Sequence, residues 1–139
     1  MKIAVYDCVA GDALTEKYGS VGNSVIQWIK PHLPEATWIE THIAIGAAMP
    51  DPSDVDGIII SGSEKGVYDD TLWMQPLRDN LETMRSHGIP IFGICFGHQS
   101  WRMYSAAGRK RSIRVLSPEH ARSTWADKQS PRMSRTRIR

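Results

Sequence analysis

Cysteine is scarce in this chain of 139 residues, which contains only Cys8 and Cys95. They lie far apart and lack Cys-x-x-Cys spacing, so they form neither a disulfide framework nor a zinc site. No apolar run is long enough to cross a bilayer, and the N-terminus lacks the basic and apolar segments of a secretion signal. We therefore expect a cytoplasmic protein in a reducing compartment, without a membrane partner.

Nucleotide and metal fingerprints are missing as well. Gly19, Gly22 and their neighbours do not have the spacing of either nucleotide-binding glycine loop. No cluster of His, Cys, Asp and Glu shows metal-ligand spacing. We therefore expect no cofactor and no metal. The length fits one domain with a sizeable core.

Charge divides the chain into two parts. Residues 1–99 hold six Lys and Arg against thirteen Asp and Glu, a net charge of −7, whereas residues 100–139 hold eleven against two, a net charge of +9. We predict a folded part over residues 1–99 and a basic tail over residues 100–139.

Residues 1–99 alternate between strand and helix patterns. Strands are predicted at Lys2–Val5, Thr37–Ile43, Ile58–Ile60 and Ile89–Ile94, and Asp7 opens a polar loop. Helical spacing covers residues 21–30 and 77–84, with Gly88 as the C-cap of the second helix. This alternation predicts an α/β fold with a doubly wound, parallel sheet, which binds ligands at the carboxyl ends of its strands.

The chemistry concentrates in residues 90–99, Pro-Ile-Phe-Gly-Ile-Cys-Phe-Gly-His-Gln. An apolar strand runs into Cys95, which Gly93 and Gly97 flank at two-residue spacing, and helix-forming sequence follows. This is the pattern of a nucleophile elbow, whose tight turn leaves no room for a Cβ at the flanking positions. A buried structural cysteine is the alternative.

A second loop suits that nucleophile. Ser61-Gly62-Ser63 follows the third predicted strand and should lie at the same edge of the sheet as Cys95. A thiolate that attacks a carbonyl needs donors for the oxyanion, and the N–H groups of Phe96 and Gly62 can supply two. Taken alone, Ser-Gly-Ser would indicate only a flexible turn.

These residues resemble the first half of a class I, triad-type glutamine amidotransferase domain, closest to stand-alone proteins similar to the glutaminase domain of GMP synthase. The resemblance rests on the string Gly93 to Gln99, on Ser61-Gly62-Ser63 and on Val67-Tyr68-Asp69. It implies a flavodoxin-like sheet, truncated after the elbow helix. It further implies that Cys95 attacks the side-chain amide of glutamine, that Gln99 and Ser63 contact the substrate, and that ammonia passes to an acceptor or synthetase subunit.

The chain departs from this family in its general base. The family's base is a histidine in a His-x-Glu segment far beyond the cysteine, and no His-x-Glu occurs here. His98 is expected to be structural, and the other histidines are His32, His42, His87 and His120. A nucleophile without its base should lose most turnover. The expected function is therefore an impaired glutamine amidotransferase, and the alternatives are an inactive glutamine-binding domain or another cysteine-elbow enzyme such as a γ-glutamyl hydrolase.

The basic tail has two further interpretations. The codons that can encode residues 101–108, read in a shifted frame, could encode Ala-x-x-Phe-Gly-Gly, which would be a plausible helix end for the family. Residues from about Ser100 onward are therefore interpreted as frame-shifted or disordered. Alternatively, its basic residues could contact RNA, but without an RNA-binding motif only non-specific attraction is expected. If the family's further strands are absent, an open sheet edge should make the chain marginally stable or prone to aggregate.

Overall fold

A computed structural model describes residues 1–106 of the chain. Four strands, β1 (Lys2–Asp7), β2 (Thr37–His42), β3 (Gly57–Ile60) and β4 (Ile91–Gly93), form one parallel sheet in the order β2-β1-β3-β4. This order is the flavodoxin-like one, and the predicted α/β fold is confirmed. Because all the strands run the same way, their carboxyl ends share one edge of the sheet.

Helices connect the strands and cover both faces of the sheet. They are α1 (Asp12–Tyr18), α2 (Val21–Ile29), α3 (Met74–Ser86) and α4 (Phe96–Ala106), and short 3₁₀ turns follow α2 (Lys30–His32) and β2 (Ile43–Ile45). The C-cap of α3 is His87, one residue before the predicted Gly88, and Gly88 follows it with the left-handed φ of +74° that ends the helix. Within the described part of the chain, no helix is long and apolar enough to cross a membrane.

One helix, α1, falls where the sequence predicts a polar loop. It has only seven residues, and its C-cap is Gly19 at a φ of +77°. A helix of two turns is too short for the apolar repeat by which longer helices are recognised, so the sequence pattern does not reveal it.

The larger part of the core lies between the sheet and the pair α3 and α4. Aliphatic side chains of β1 and β3 meet one stripe of α3 there. The largest fully buried residues of this layer are Tyr6, Phe96, Ile43, Ile58, Ile60, Leu77, Leu81 and Met84. A smaller cluster on the opposite face packs α2 against the sheet through Ile3, Val5, Ile26 and Ile59.

Helix α4 continues across the position where the charge of the chain changes. Ser100 and Trp101 are both buried in it, so residues 100–106 belong to the folded unit that contains the sheet. The expectation of disorder from about Ser100 onward is therefore wrong for residues 100–106, which are helical. The rest of the predicted tail, residues 107–139, lies outside the described residues, and His120 with it.

Candidate active site

Cys95 occupies a strained turn between β4 and α4. Its φ is +52°, and among residues 1–106 it is the one non-glycine residue with a positive φ. A left-handed backbone costs an ordinary side chain about 1–3 kcal/mol, and such residues cluster at functional sites. The thiol is exposed at the carboxyl edge of the sheet. The strand–turn–helix geometry expected of a nucleophile elbow is therefore present, and the role of Cys95 as the nucleophile stays a prediction.

Close backbone packing explains the two glycines around Cys95. A Cβ on Gly93 would overlap the backbone of Gly97, the second residue of α4. A Cβ on Gly97 would lie 2.5 Å from the carbonyl oxygen of Ile60 and 2.7 Å from its Cβ. The first turn of α4 thus rests directly on β3 and β4, which fixes where the helix begins and where Cys95 stands.

The loop after β3 lies against this elbow. A Cβ built on Gly62 would be 3.8 Å from the Cβ of Cys95, an ordinary van der Waals contact. The carbonyl of Ser61 accepts a hydrogen bond of 3.2 Å from the N–H of Gly97. The two loops that the sequence pairs chemically are therefore neighbours in space.

The remaining predicted site residues lie around the same turn. Phe96 opens α4, and its buried ring packs edge-on against Trp73 at 5.6 Å between centroids. The exposed Gln99 lies in the first turn of α4 and donates its N–H to the carbonyl of Cys95 at 3.0 Å. Ser63 is half-buried in the loop, where its hydroxyl accepts the N–H of Lys65 at 3.0 Å. The five predicted residues thus gather at one edge of the sheet, while their roles stay predictions.

The chain matches a known protein family over most of its length. The family model for "Glutamine amidotransferase class-I" matches residues 14–135, which is most of the chain. The chain belongs to the class I glutamine amidotransferase family. The resemblance predicted from residues 1–99 is confirmed at the level of the family.

One curated relative of this amidotransferase-family chain is a plant protein. Gamma-glutamyl peptidase 4 of Arabidopsis thaliana is 33% identical over 58 residues. That stretch covers 40% of this chain and 23% of the relative, so the chain spans about a quarter of the relative's length in the match. No solved structure matches the chain.

The described histidines leave the family's general base unassigned. His32 ends the turn before β2, and His87 caps α3 before β4, so both lie at the amino edge of the sheet. His42 ends β2 at the carboxyl edge, but three strand spacings separate β2 from β4, or about 14 Å. His98 is half-buried in the first turn of α4.

His42 is instead engaged with a buried carboxylate. Its Nε2 lies 2.9 Å from Oδ2 of Asp7, whose side chain is fully buried. The same carboxylate accepts the N–H groups of Val9 at 3.0 Å and Gly22 at 2.9 Å. Glu40 accepts the hydroxyl of Ser20 and, at 3.0 Å, the N–H of Asn23. No sequence pattern links the members of this cluster, because they come from two strands and a helix start.

Asp7, Glu40 and His42 are the residues that could hold a metal ion in the described part of the chain. Their nearest ligand atoms lie within 4.8 Å of one another. However, both carboxylates already accept hydrogen bonds from the first turn of α2, where the positive end of the helix dipole opposes a cation. The cluster therefore acts as a cap that holds α2 to the ends of β1 and β2.

The second cysteine differs sharply from Cys95. Burial and, after it, the neighbouring Asp7 charge raise the pKa of the Cys8 thiol to about 12, against the opposing effect of a hydrogen bond with Ser61. Cys8 is completely buried at the end of β1 and is therefore an inert core thiol at neutral pH. This contrast provides an internal control for any reaction at Cys95.

An apolar groove of about 410 Å³ lies along the same edge of the sheet. It runs between the 3₁₀ turn after β2 and the start of α3. Its lining residues are Ile43, Ala44, Ile45, Gly46, Ala47, Met49, Leu72, Trp73 and Pro76. Trp73, one of these lining residues, also packs on Phe96, the residue after Cys95.

Proposed function

We propose that this chain carries a γ-glutamyl acyl-transfer site in which Cys95 attacks the side-chain amide of glutamine. The observation that supports it most is the strained, exposed Cys95 between two glycines that admit no Cβ. Evolution retains such strain where a nucleophile must be presented at the end of a strand. Membership of the class I glutamine amidotransferase family supports the choice of substrate.

The proposed reaction proceeds through a thioester. The sulfur of Cys95 forms a bond with the amide carbon, the carbon–nitrogen bond breaks, and the nitrogen takes a proton and leaves as ammonia. Water then hydrolyses the γ-glutamyl thioester to glutamate and restores the thiol. The oxyanion formed in each step needs donors from the first turn of α4 and from the loop after β3. In this proposal Phe96 supplies one through its N–H, and Gln99 and Ser63 contact the substrate.

Turnover depends on a general base. Apart from His98 in the elbow helix α4, no histidine among residues 1–106 lies beside Cys95. His42 is about 14 Å away across the sheet and is paired with Asp7. The family's His-x-Glu does not occur in the 139 residues. We therefore propose that this chain binds glutamine at Cys95 but acylates the cysteine, and so releases ammonia, only slowly, because the base both activates the thiol and protonates the leaving group. An acceptor subunit for the ammonia, such as a synthetase, is part of the proposal.

Covalent labelling with a chloromethyl ketone analogue of glutamine tests this function. The reagent should modify Cys95 in the folded chain, giving one adduct by intact mass and a labelled peptide that contains residue 95. Free glutamine should slow the reaction, whereas the same concentration of glutamate should slow it less. Cys95→Ala should abolish labelling, and Cys8→Ala should leave it unchanged. Labelling that glutamine does not slow would contradict a glutamine site.

A second candidate is hydrolysis of a γ-glutamyl peptide, which the gamma-glutamyl peptidase relative favours. The apolar groove offers space for a leaving group larger than ammonia, and Trp73, which lines it, contacts the residue after Cys95. Protection of Cys95 by γ-glutamyl-leucine and by glutamine separates the two candidates. Stronger protection by the dipeptide, lost in a Leu72→Glu variant, would favour the peptidase; equal or weaker protection would favour amide chemistry.

A further inference from the structure

Ser61 is a buried serine that joins three elements at the end of β3. It has no exposed surface. Its N–H donates to the carbonyl of Tyr6 at 2.9 Å, and its carbonyl accepts from the N–H of Gly97 at 3.2 Å. Its hydroxyl accepts the N–H of Cys8 at 2.9 Å and donates to the carbonyl of Gly62 at 2.7 Å. Every polar atom of Ser61 is thus engaged.

These bonds determine which way the first loop peptide points. The described chain has no cis peptide bond, so the C=O and N–H of each peptide unit point in opposite directions. Because the carbonyl of Ser61 faces Gly97 in α4, the N–H of Gly62 in the same peptide unit faces away from the start of that helix. This orientation does not favour the predicted role of the Gly62 N–H as an oxyanion donor, because the oxyanion would form at the start of α4.

The next peptide unit is fixed by the serine side chain. Its carbonyl, that of Gly62, is held by the Ser61 hydroxyl, so its N–H, that of Ser63, points to the opposite side. None of the hydrogen bonds recorded among the described groups takes the Ser63 N–H as its donor. The unit lies in the loop that touches Cys95, since the Cβ position of Gly62 is 3.8 Å from the cysteine Cβ.

We propose that Ser61 is a positioning residue whose buried hydroxyl locks the Gly62–Ser63 peptide so that the Ser63 N–H serves as the loop donor to the oxyanion at Cys95. The hydroxyl acts from behind the peptide and never touches substrate. Its own orientation is fixed by the N–H of Cys8, because a hydroxyl that accepts there must direct its proton elsewhere. This inference rests on the proposed acyl-transfer function.

The alternative is a purely structural serine that ties β1 to the loop. The two roles predict different effects of a Ser61 substitution on the rates at which two classes of electrophile react with Cys95. A chloromethyl ketone reacts through a tetrahedral adduct whose oxyanion needs the donor, whereas iodoacetamide alkylates the thiolate directly and forms no oxyanion. The ratio of the two rates at Cys95 therefore reports the donor and is insensitive to changes in thiol exposure that affect both reagents.

The experiment compares this rate ratio in the wild-type chain and in Ser61→Ala. We expect Ser61→Ala to slow the ketone reaction about tenfold or more while the iodoacetamide rate stays within about twofold, since loss of one oxyanion donor costs about 10²–10³ in rate. Ser61→Thr keeps the hydroxyl and should retain the ratio. Ser61→Cys fills a similar volume with a weak hydrogen-bond donor and should lose it, which covers the case in which Ser61→Ala fails to fold.

Ser100→Ala is the matched control. It also removes a fully buried hydroxyl, one that donates to the carbonyls of Phe96 and Gly97 within α4, and it should leave the ratio unchanged. Equal slowing of both reagents by Ser61→Ala, or no slowing of either, would overturn the positioning role. A wild-type chain in which glutamine fails to protect Cys95 would overturn the proposed function itself, and that result is visible before any serine is changed.

Discussion

Replacement of Gly97 by alanine provides the sharpest test of how the elbow is packed. The new methyl group would stand 2.5 Å from the carbonyl oxygen of Ile60, 2.7 Å from its Cβ and 2.9 Å from its Cγ2. Carbon atoms in contact normally lie about 3.5–4.0 Å apart, so the overlap approaches 1 Å. Ile60 belongs to β3, a central strand that pairs on both sides and cannot move locally.

The expected cost follows from what must move. Only α4 can give way, and its displacement would loosen the buried contacts of Phe96 and Trp101 and stretch the bond from Gly97 to Ser61. Overpacking a core costs about 1–3 kcal/mol where side chains can adjust, and here the obstacle is backbone. We expect a loss of about 3 kcal/mol in the free energy of unfolding, or about 10 °C in the melting temperature for a domain of this size.

Thermal and urea unfolding of the two chains measure this loss. Gly11→Ala is the matched control, because Gly11 has an ordinary φ of −75° and nothing lies within 4 Å of its Cβ position. It should change stability by less than about 1 kcal/mol. If Gly97→Ala melts within 2 °C of the wild-type chain, the close contact between α4 and β3 does not exist as described, and close backbone packing is not the reason for the glycine at position 97.

Three further changes probe other parts of the molecule. Because the folded Cys8 holds its proton up to about pH 12, its contribution to stability is complete below pH 9 and is lost as the pH rises from 9 to 12, by up to about 1.4 kcal/mol per pH unit; Cys8→Ala should flatten that loss in urea titrations, and an unchanged slope would contradict it. Phe92→Thr should reduce self-association in sedimentation experiments, since Phe92 is 51% exposed on β4, which pairs with β3 alone among the described strands; association equal to that of the wild-type chain would argue against edge pairing. Asp7→Ala should cost about 3 kcal/mol in unfolding free energy, because it leaves two buried N–H groups without their acceptor, whereas the exposed Asp70→Ala should cost less than about 0.5.

The sequence pattern predicted the sheet because buried parallel strands leave a strong local signature. The run Ile58 to Ile60 is continuous and β-branched, and β3 is buried at all three positions. The spacing Gly93-x-Cys95-x-Gly97 likewise has one physical reason, the close approach of backbone to backbone. Both features depend on neighbours in the chain, which a sequence displays directly.

What the sequence could not reveal depends on contacts between distant residues. Asp7 pairs with His42 across 35 positions of the chain, and Cys8 meets Ser61 across 53. Neither pair shows a spacing rule, since the strand order that brings them together is known only after folding. Ser61 was predicted as part of a loop. A role could be assigned to its hydroxyl only from the structure, which shows the two hydrogen bonds of the hydroxyl and the two of the Ser61 backbone.

Stability and reactivity should be coupled at some positions of this edge and independent at others. Gly97 and Ser61 support both the packing of α4 and the geometry around Cys95, so Gly97→Ala should lower the melting temperature and slow the glutamine-directed ketone together. Asp7 holds α2 at the end of β1, with β3 standing between it and the elbow strand. Asp7→Ala should therefore lower stability while leaving the ratio of the two labelling rates unchanged below the melting temperature. If that ratio fell as it does in Ser61→Ala, the oxyanion loop would depend on the whole edge of the sheet, and the specific role given to Ser61 would be lost.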